Sequence, residues 1–266
     1  MKIPFIKAHG AGNDFLLTWR TQARQVLLSP ADIVRAICDR HTGVGADGWI
    51  LLSEVERGAD CSIELWNSDG SKSEISGNGT RCAAALLIDS GLADRNISIA
   101  TGAGVKKLKL LGRDGLKFEL EMNMGSARVE ELESKVVPGR DSVILNVGNP
   151  QCAVLVNDFD FDWRGLGAEL ERHPRFPERT NVSFVRVIDR HTLDVRFFER
   201  GAGETMSSGT GSTGAGAAAV ARGLVENPVR VLTPAGALNL RWQAGDILLA
   251  GPAEIVARGS FYWNTQ

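Results

Sequence analysis

Ser76-Gly77-Asn78-Gly79-Thr80-Arg81-Cys82-Ala83-Ala84-Ala85 and Ser208-Gly209-Thr210-Gly211-Ser212-Thr213-Gly214-Ala215-Gly216-Ala217 are two copies of one pattern. The offset from Ser76 to Ser208 is 132 positions, about half of the 266-residue chain. Ser76/Ser208, Gly77/Gly209, Gly79/Gly211, Ala83/Ala215, Ala85/Ala217, Gly91/Gly223 and Leu92/Leu224 are identical across it. Small residues match cheaply, but the same offset also pairs Trp66 with Phe198 at the end of a strand-like run, which weighs against chance. Each copy reads as strand, loop, Ser-Gly-x-Gly and then an Ala-rich helix, which points to two halves related by a pseudo-twofold axis.

Outward from the repeat, short runs of strand type alternate apolar and polar residues. They include 61–66, 116–121, 143–145, 182–187 and 194–198. Helices are expected over Pro30–Arg40, with Ser29 as N-cap, over Ala83–Ser90 and over Ala215–Arg222. Many strands and few helices make the fold class mixed α/β. With 43% hydrophobic and 23% charged residues the composition is that of a globular protein. Thirty basic against 32 acidic residues leave a net charge of -2, so neither nucleic acid nor an anionic membrane is an expected partner. The start of the chain, Met1-Lys2-Ile3-Pro4-Phe5, lacks the apolar run of a signal peptide, and cytoplasmic is the expected location. Cys38, Cys61, Cys82 and Cys152 show no metal-ligand spacing and read as buried, reduced side chains.

The chemistry suggested by the repeat follows from helix ends. A Gly-rich turn entering a helix presents unpaired N–H groups and the positive end of the helix dipole, which favour an anion. Two such ends gripping one small anionic ligand suit inversion of a stereocentre beside a carboxylate. Charge developing on that carboxylate would meet fixed donors. The acid and the base would then stand at equivalent positions, Ser76 and Ser208. A serine hydroxyl is a poor base and needs a neighbour to activate it. None of the four histidines, His9, His41, His173 and His191, lies within the repeated units. Gly209-Thr210-Gly211-Ser212-Thr213-Gly214 also fits the dinucleotide fingerprint G-x-G-x-x-G, but some nine residues separate it from the preceding strand where a tight turn is needed. Neither serine sits in a G-x-S-x-G elbow.

Over its full length the chain resembles the diaminopimelate epimerase family. The matching stretches are Lys7–Phe15, Arg40–Gly48, Trp66–Ser71, Ser76–Cys82, Gly148–Pro150, Glu178–Asn181 and Glu199–Thr205. The resemblance implies two α/β halves, each a curled mixed sheet around a central helix, with the active site in the cleft between them. The expected division is 1–118, completed by the strand 253–266, and 119–252. It implies interconversion of LL- and meso-diaminopimelate by two-base proton transfer at Cα, without pyridoxal phosphate, other cofactor or metal, in a homodimer. By the family pattern Ser76 and Ser208 fall on the catalytic positions. Gly77, Asn78, Gly209 and Thr210 would hold the reacting carboxylate. Asn13, Asn67, Asn149, Asn181, Glu199 and Arg200 would line the rest of the pocket, with the planar fork of Arg200 suited to a distal carboxylate.

Two departures stand out. The family's catalytic cysteines are serine here, at Ser76 and Ser208, and the residue after Asn149-Pro150, commonly histidine, is Gln151. The serines are then introduced substitutions, natural bases of a branch that still turns over, or the mark of an inactive amino-acid-binding homologue. Met206 and Ser207 depart from the family pattern as well, which favours natural divergence. A racemase or epimerase of another amino acid is the alternative within enzymes.

Overall fold

A computed structural model describes residues 1–23, 30–55 and 58–263. The chain divides into two compact units, Met1–Met122 with Pro252–Gln266, and Asn123–Gly251. Within the first, the elements in order are β1 (Lys2–Gly10), β2 (Asn13–Trp19), α1 (Pro30–Cys38), β3 (Gly48–Ser53), β4 (Cys61–Asn67), β5 (Lys72–Ser73), α2 (Gly77–Asp89), β6 (Asn96–Thr101), β7 (Gly104–Asp114) and β8 (Lys117–Gly125). The second follows with β9 (Arg128–Ser134), β10 (Ser142–Asn146), β11 (Pro150–Leu155), α3 (Trp163–Glu171), β12 (Asn181–Asp189), β13 (Thr192–Glu199), β14 (Gly203–Thr205), α4 (Gly209–Ala221), β15 (Val229–Thr233), β16 (Gly236–Gln243) and β17 (Asp246–Tyr262). Both β8 and β17 carry the chain from one unit into the other.

In the first unit the strand order is β17, β1, β2, β3, β4, β6, β7, β8, and β8 pairs with β17 to close the ring. From β1 onward the pairings are antiparallel, parallel, antiparallel, parallel, antiparallel, antiparallel. The second unit repeats that series term by term from β10 through β11, β12, β13, β15 and β16 to β17. The repeat seen in the sequence is thus a repeat of topology.

Each sheet wraps a helix buried on all sides. In α2 every residue from Gly77 to Leu87 is buried, and in α4 every residue from Gly209 to Ala219. Helix α2 packs on β1, β2, β3, β4 and β6, and α4 on β9 to β13, β15 and β16. A helix enclosed this way has no solvent-facing polar stripe: α4 is Gly, Ala, Ser and Thr with one Val, and α2 opens Gly-Asn-Gly-Thr and continues through Ala and Leu. Tight packing selects the glycines. A Cβ on Gly79 would lie 2.9 Å from Ile50 Cδ1, and one on Gly211 2.7 Å from Phe197 Cδ1 and 2.9 Å from the Ser208 hydroxyl. Gly211→Ala is therefore expected to destabilise the chain by about 1–3 kcal/mol through overpacking, measured by urea unfolding.

Both central helices begin six residues before the Ala-rich runs expected to form them, at Gly77 and Gly209. The Gly-x-Gly segments are helix and not a turn leading into it, because Ser76 and Ser208 cap the chain at that point. Helix α1 ends at Cys38, inside the expected span to Arg40, and its proposed cap Ser29 lies outside the described residues. Helix α3 was not expected; its glycines obscure it. Gly165 sits against its own cap Asp162, and a Cβ on Gly167 would meet Phe198 Cβ at 2.8 Å. No helix among the described residues is long and apolar enough to cross a membrane.

Candidate active site

The two serines occupy the same local geometry. Ser76 has φ -130° and ψ 123°, Ser208 φ -136° and ψ 125°, both extended, and each hydroxyl accepts from the N–H three residues on. The distances are 3.1 Å from Gly79 N to Ser76 Oγ and 2.9 Å from Gly211 N to Ser208 Oγ. This is N-capping, which holds each hydroxyl at the mouth of its helix beside the positive end of the dipole.

Their other partners differ. The Ser208 hydroxyl donates to Glu199 Oε1 at 2.6 Å, and Ser208 is 3% exposed. Glu199 closes β13, and the β13–β14 hairpin, in which Glu199 pairs with Gly203, folds it back onto the start of α4. At the 132-residue offset the counterpart of Glu199 is Asn67, at the end of β4. Its amide donates to Ser71 Oγ at 3.0 Å. An amide cannot take a proton at neutral pH, so among the described residues Asn67 does not give the first unit the carboxylate backing that Glu199 gives Ser208.

Around α4 the remaining candidates of the second unit gather at one end of its strands. Asn149 donates to Thr210 Oγ1 at 3.5 Å, and Gln151 Nε2 to Asn149 Oδ1 at 2.7 Å. Gln151 is 2% exposed, and its Oε1 has no partner among the described residues. Asn181 Nδ2 donates to the Pro150 carbonyl at 2.9 Å, while its Oδ1 accepts from Arg200 N at 3.1 Å. The Arg200 guanidinium is tethered by one nitrogen, Nη1, to the Glu178 carbonyl at 3.2 Å.

In the first unit Asn78 Nδ2 donates to Asn13 Oδ1 at 3.2 Å, and Asn13 Nδ2 to Asp47 Oδ2 at 2.7 Å. Asn67 belongs to the same end, since the N–H of Ser68 donates to the Asp47 carbonyl at 3.0 Å. Asp47 shares Arg40 with Asp14: Arg40 Nη2 lies 2.7 Å from a carboxylate oxygen of each. Burial alone would raise the Asp14 carboxyl, but hydrogen bonds from Arg40 and Lys7 outweigh it and hold that carboxyl below its usual value. Lys7, Asp14, Arg40 and Asp47 all lie in the quoted motifs. Their role as a brace behind Asn13 is a long-range contact that spacing does not disclose.

The cysteines do not stand in for the missing thiols. All four are buried and unpaired. Burial pushes the Cys82 and Cys152 thiols up to about 12, and Cys38 and Cys61 to about 12 and about 11. A neutral thiol is not a nucleophile. Iodoacetamide at pH 8 is expected to leave all four unmodified in the folded protein and to label all four in urea, read by intact mass. Among the described residues no group of three or more His, Cys, Asp or Glu is placed to hold a metal ion.

The fold, in which each unit's curled sheet encloses one central helix, is shared by solved structures of low sequence identity. A hydroxyproline epimerase from Agrobacterium vitis matches 97% of this chain and 90% of its own, with TM-score 0.73 at 16% identity. A phenazine biosynthesis protein from Bacillus anthracis matches 98% and 99%, with TM-score 0.71 at 14% identity. The family itself is settled by sequence: the chain belongs to the diaminopimelate epimerase family, whose model matches residues 5–130 and 143–256. The diaminopimelate epimerase of Pelotomaculum thermopropionicum is 38% identical over 98% of this chain and 99% of its own length. That of Nostoc punctiforme is 36% identical over 97% and 99%. The chain is accordingly an isomerase of the amino-acid epimerase class.

Proposed function

We propose that the chain interconverts LL- and meso-diaminopimelate, with Ser76 and Ser208 as the two proton carriers. The observation that carries this reading is the 2.6 Å hydrogen bond from Ser208 to Glu199, which supplies the activating base a serine needs. As Ser208 Oγ takes the α-proton, its own proton passes to Glu199 Oε1. The C–H electron pair is left on Cα and spreads into the adjacent carboxylate. The N–H groups at the starts of α2 and α4, at Gly77, Asn78, Gly209 and Thr210, favour that charge. A proton from Ser76 on the opposite face completes inversion; solvent then takes the proton from Glu199 and returns one to the Ser76 oxygen. Asn13, Asn67, Asn149 and Asn181 offer amide donors and acceptors to the ammonium and carboxylate groups. The Arg200 fork, tethered through one nitrogen, receives the distal carboxylate.

A second reading has its own observation. The Ser76 side has the amide Asn67 where the Ser208 side has Glu199, and Gln151 offers no titratable nitrogen. A chain so equipped on one side could bind an amino acid without inverting it, or invert a different one. Purified protein given LL-diaminopimelate and a panel of single L-amino acids, with products separated by chiral chromatography, decides among them. The expected result is meso-diaminopimelate from the first and no conversion of the panel. Conversion of a panel member alone moves the assignment to a racemase, and calorimetric binding without conversion moves it to a binder.

A further inference from the structure

Arg81 sits in the second turn of α2 with no exposed surface, the kind of position a cation avoids unless something holds it there. No carboxylate forms an ion pair with it among the described residues. Its Nε donates to the Pro252 carbonyl at 3.2 Å and its Nη2 to Asn78 Oδ1 at 2.5 Å, while Nη1 has no partner among the described residues. Burial draws the guanidinium down to about 10, which still leaves it charged at neutral pH.

The bond to Asn78 begins a relay that runs one way. Arg81 donates to Asn78 Oδ1, Asn78 Nδ2 donates to Asn13 Oδ1, and Asn13 Nδ2 donates to Asp47 Oδ2. Guanidinium can only donate and an ionised carboxylate can only accept. With those two ends fixed, the amides between them are satisfied in only one orientation each. The second unit has no such anchor: the position 132 residues after Arg81 is Thr213, whose hydroxyl turns back to the Gly209 carbonyl at 2.8 Å.

We propose that Arg81 is a positioning residue, which orients Asn78 and, through it, Asn13, and sets a buried positive charge behind the α2 N-terminus where a substrate carboxylate binds. The carboxylate rests on the function proposed above; the relay does not. The test therefore has two readouts on the full chain carrying Arg81→Met or Arg81→Lys. The first is solvent exchange of the Asn13 side-chain amide hydrogens by 15N NMR, which needs no turnover. Losing one hydrogen bond's worth of restraint corresponds to about tenfold faster exchange in Arg81→Met. Lysine, a point charge on a different stem, cannot reproduce the fork, and Arg81→Lys is expected to give about threefold. The second is the steady-state split, with KM for diaminopimelate raised about tenfold and kcat lowered less than about threefold. Should Arg81→Met fail to fold, Arg81→Lys carries both readouts. Asn13 exchange within twofold of wild type in whichever variant folds would overturn the relay. Faster exchange with KM unchanged would uphold the relay and overturn the carboxylate role. Faster exchange in a chain that never turns over would uphold the relay and count against the proposed function alone.

Discussion

Glu199→Gln is expected to lower kcat by about 100-fold to 10,000-fold, the range ascribed to one positioned proton acceptor. Glutamine keeps the shape and can still accept from the Ser208 hydroxyl, so the 2.6 Å contact survives in form. What it loses is the capacity to take the proton. A serine without that sink must expel its proton to water as it attacks the α-hydrogen, and the hydroxyl is too weak an acid for that route to compete. KM should move far less than kcat, because the helix ends and the asparagines are untouched. A fall confined to KM would show Glu199 to be a binding group only. The paired control is Asn67→Asp in the first unit, which tests whether a carboxylate at the equivalent position strengthens the weaker side.

The second large effect is a gain. Ser76→Cys with Ser208→Cys is expected to raise kcat at pH 8 by at least about 100-fold over the serine form. A thiol titrates near roughly 8.5, and a helix N-terminus lowers it further, so a large share is thiolate at working pH. Both positions already sit at such a terminus, with backbone N–H groups directed at the side-chain atom. The pH profile should change with the rate: activity rises on the alkaline side of neutrality as the accepting thiol ionises and falls again as the donating thiol does. The double variant separates a competent scaffold with weak bases from one that never inverts its ligand. If the serine form is active and the cysteine form is not faster, hydroxyl acidity does not limit the reaction and the role given to Glu199 is wrong.

Much of the fold was legible because the strands announce themselves by alternation. The runs 61–66, 143–145, 182–187 and 194–198 all lie in strands, and the Trp66/Phe198 correspondence marks the ends of β4 and β13. The starts of the central helices were not legible. A glycine costs about 1 kcal/mol in a helix, so Gly-Asn-Gly and Gly-Thr-Gly read as turns. Enclosure within a sheet reverses that preference, because Gly79 and Gly211 face side chains that leave no room for a Cβ. Helix α3 was hidden for the same reason at Gly167.

Which of the candidate site residues touch one another was not legible in the sequence. Ser208 and Glu199 are nine positions apart with a hairpin between them, and no helical or strand period connects them. The one-way relay from Arg81 to Asp47 joins residues from α2, the start of β2 and the loop before β3, which only the tertiary fold brings together.

The most direct test of proton transfer through Ser208 is hydrogen isotope incorporation. LL-diaminopimelate is incubated with the protein in deuterium oxide, and the α-position of product and remaining substrate is read by mass spectrometry. The expected result is one deuterium at the inverted centre of every meso product from the wild-type chain, and none above background with Ser208→Ala. Meso product carrying the original hydrogen, or a Ser208→Ala chain that exchanges as fast as wild type, would contradict it.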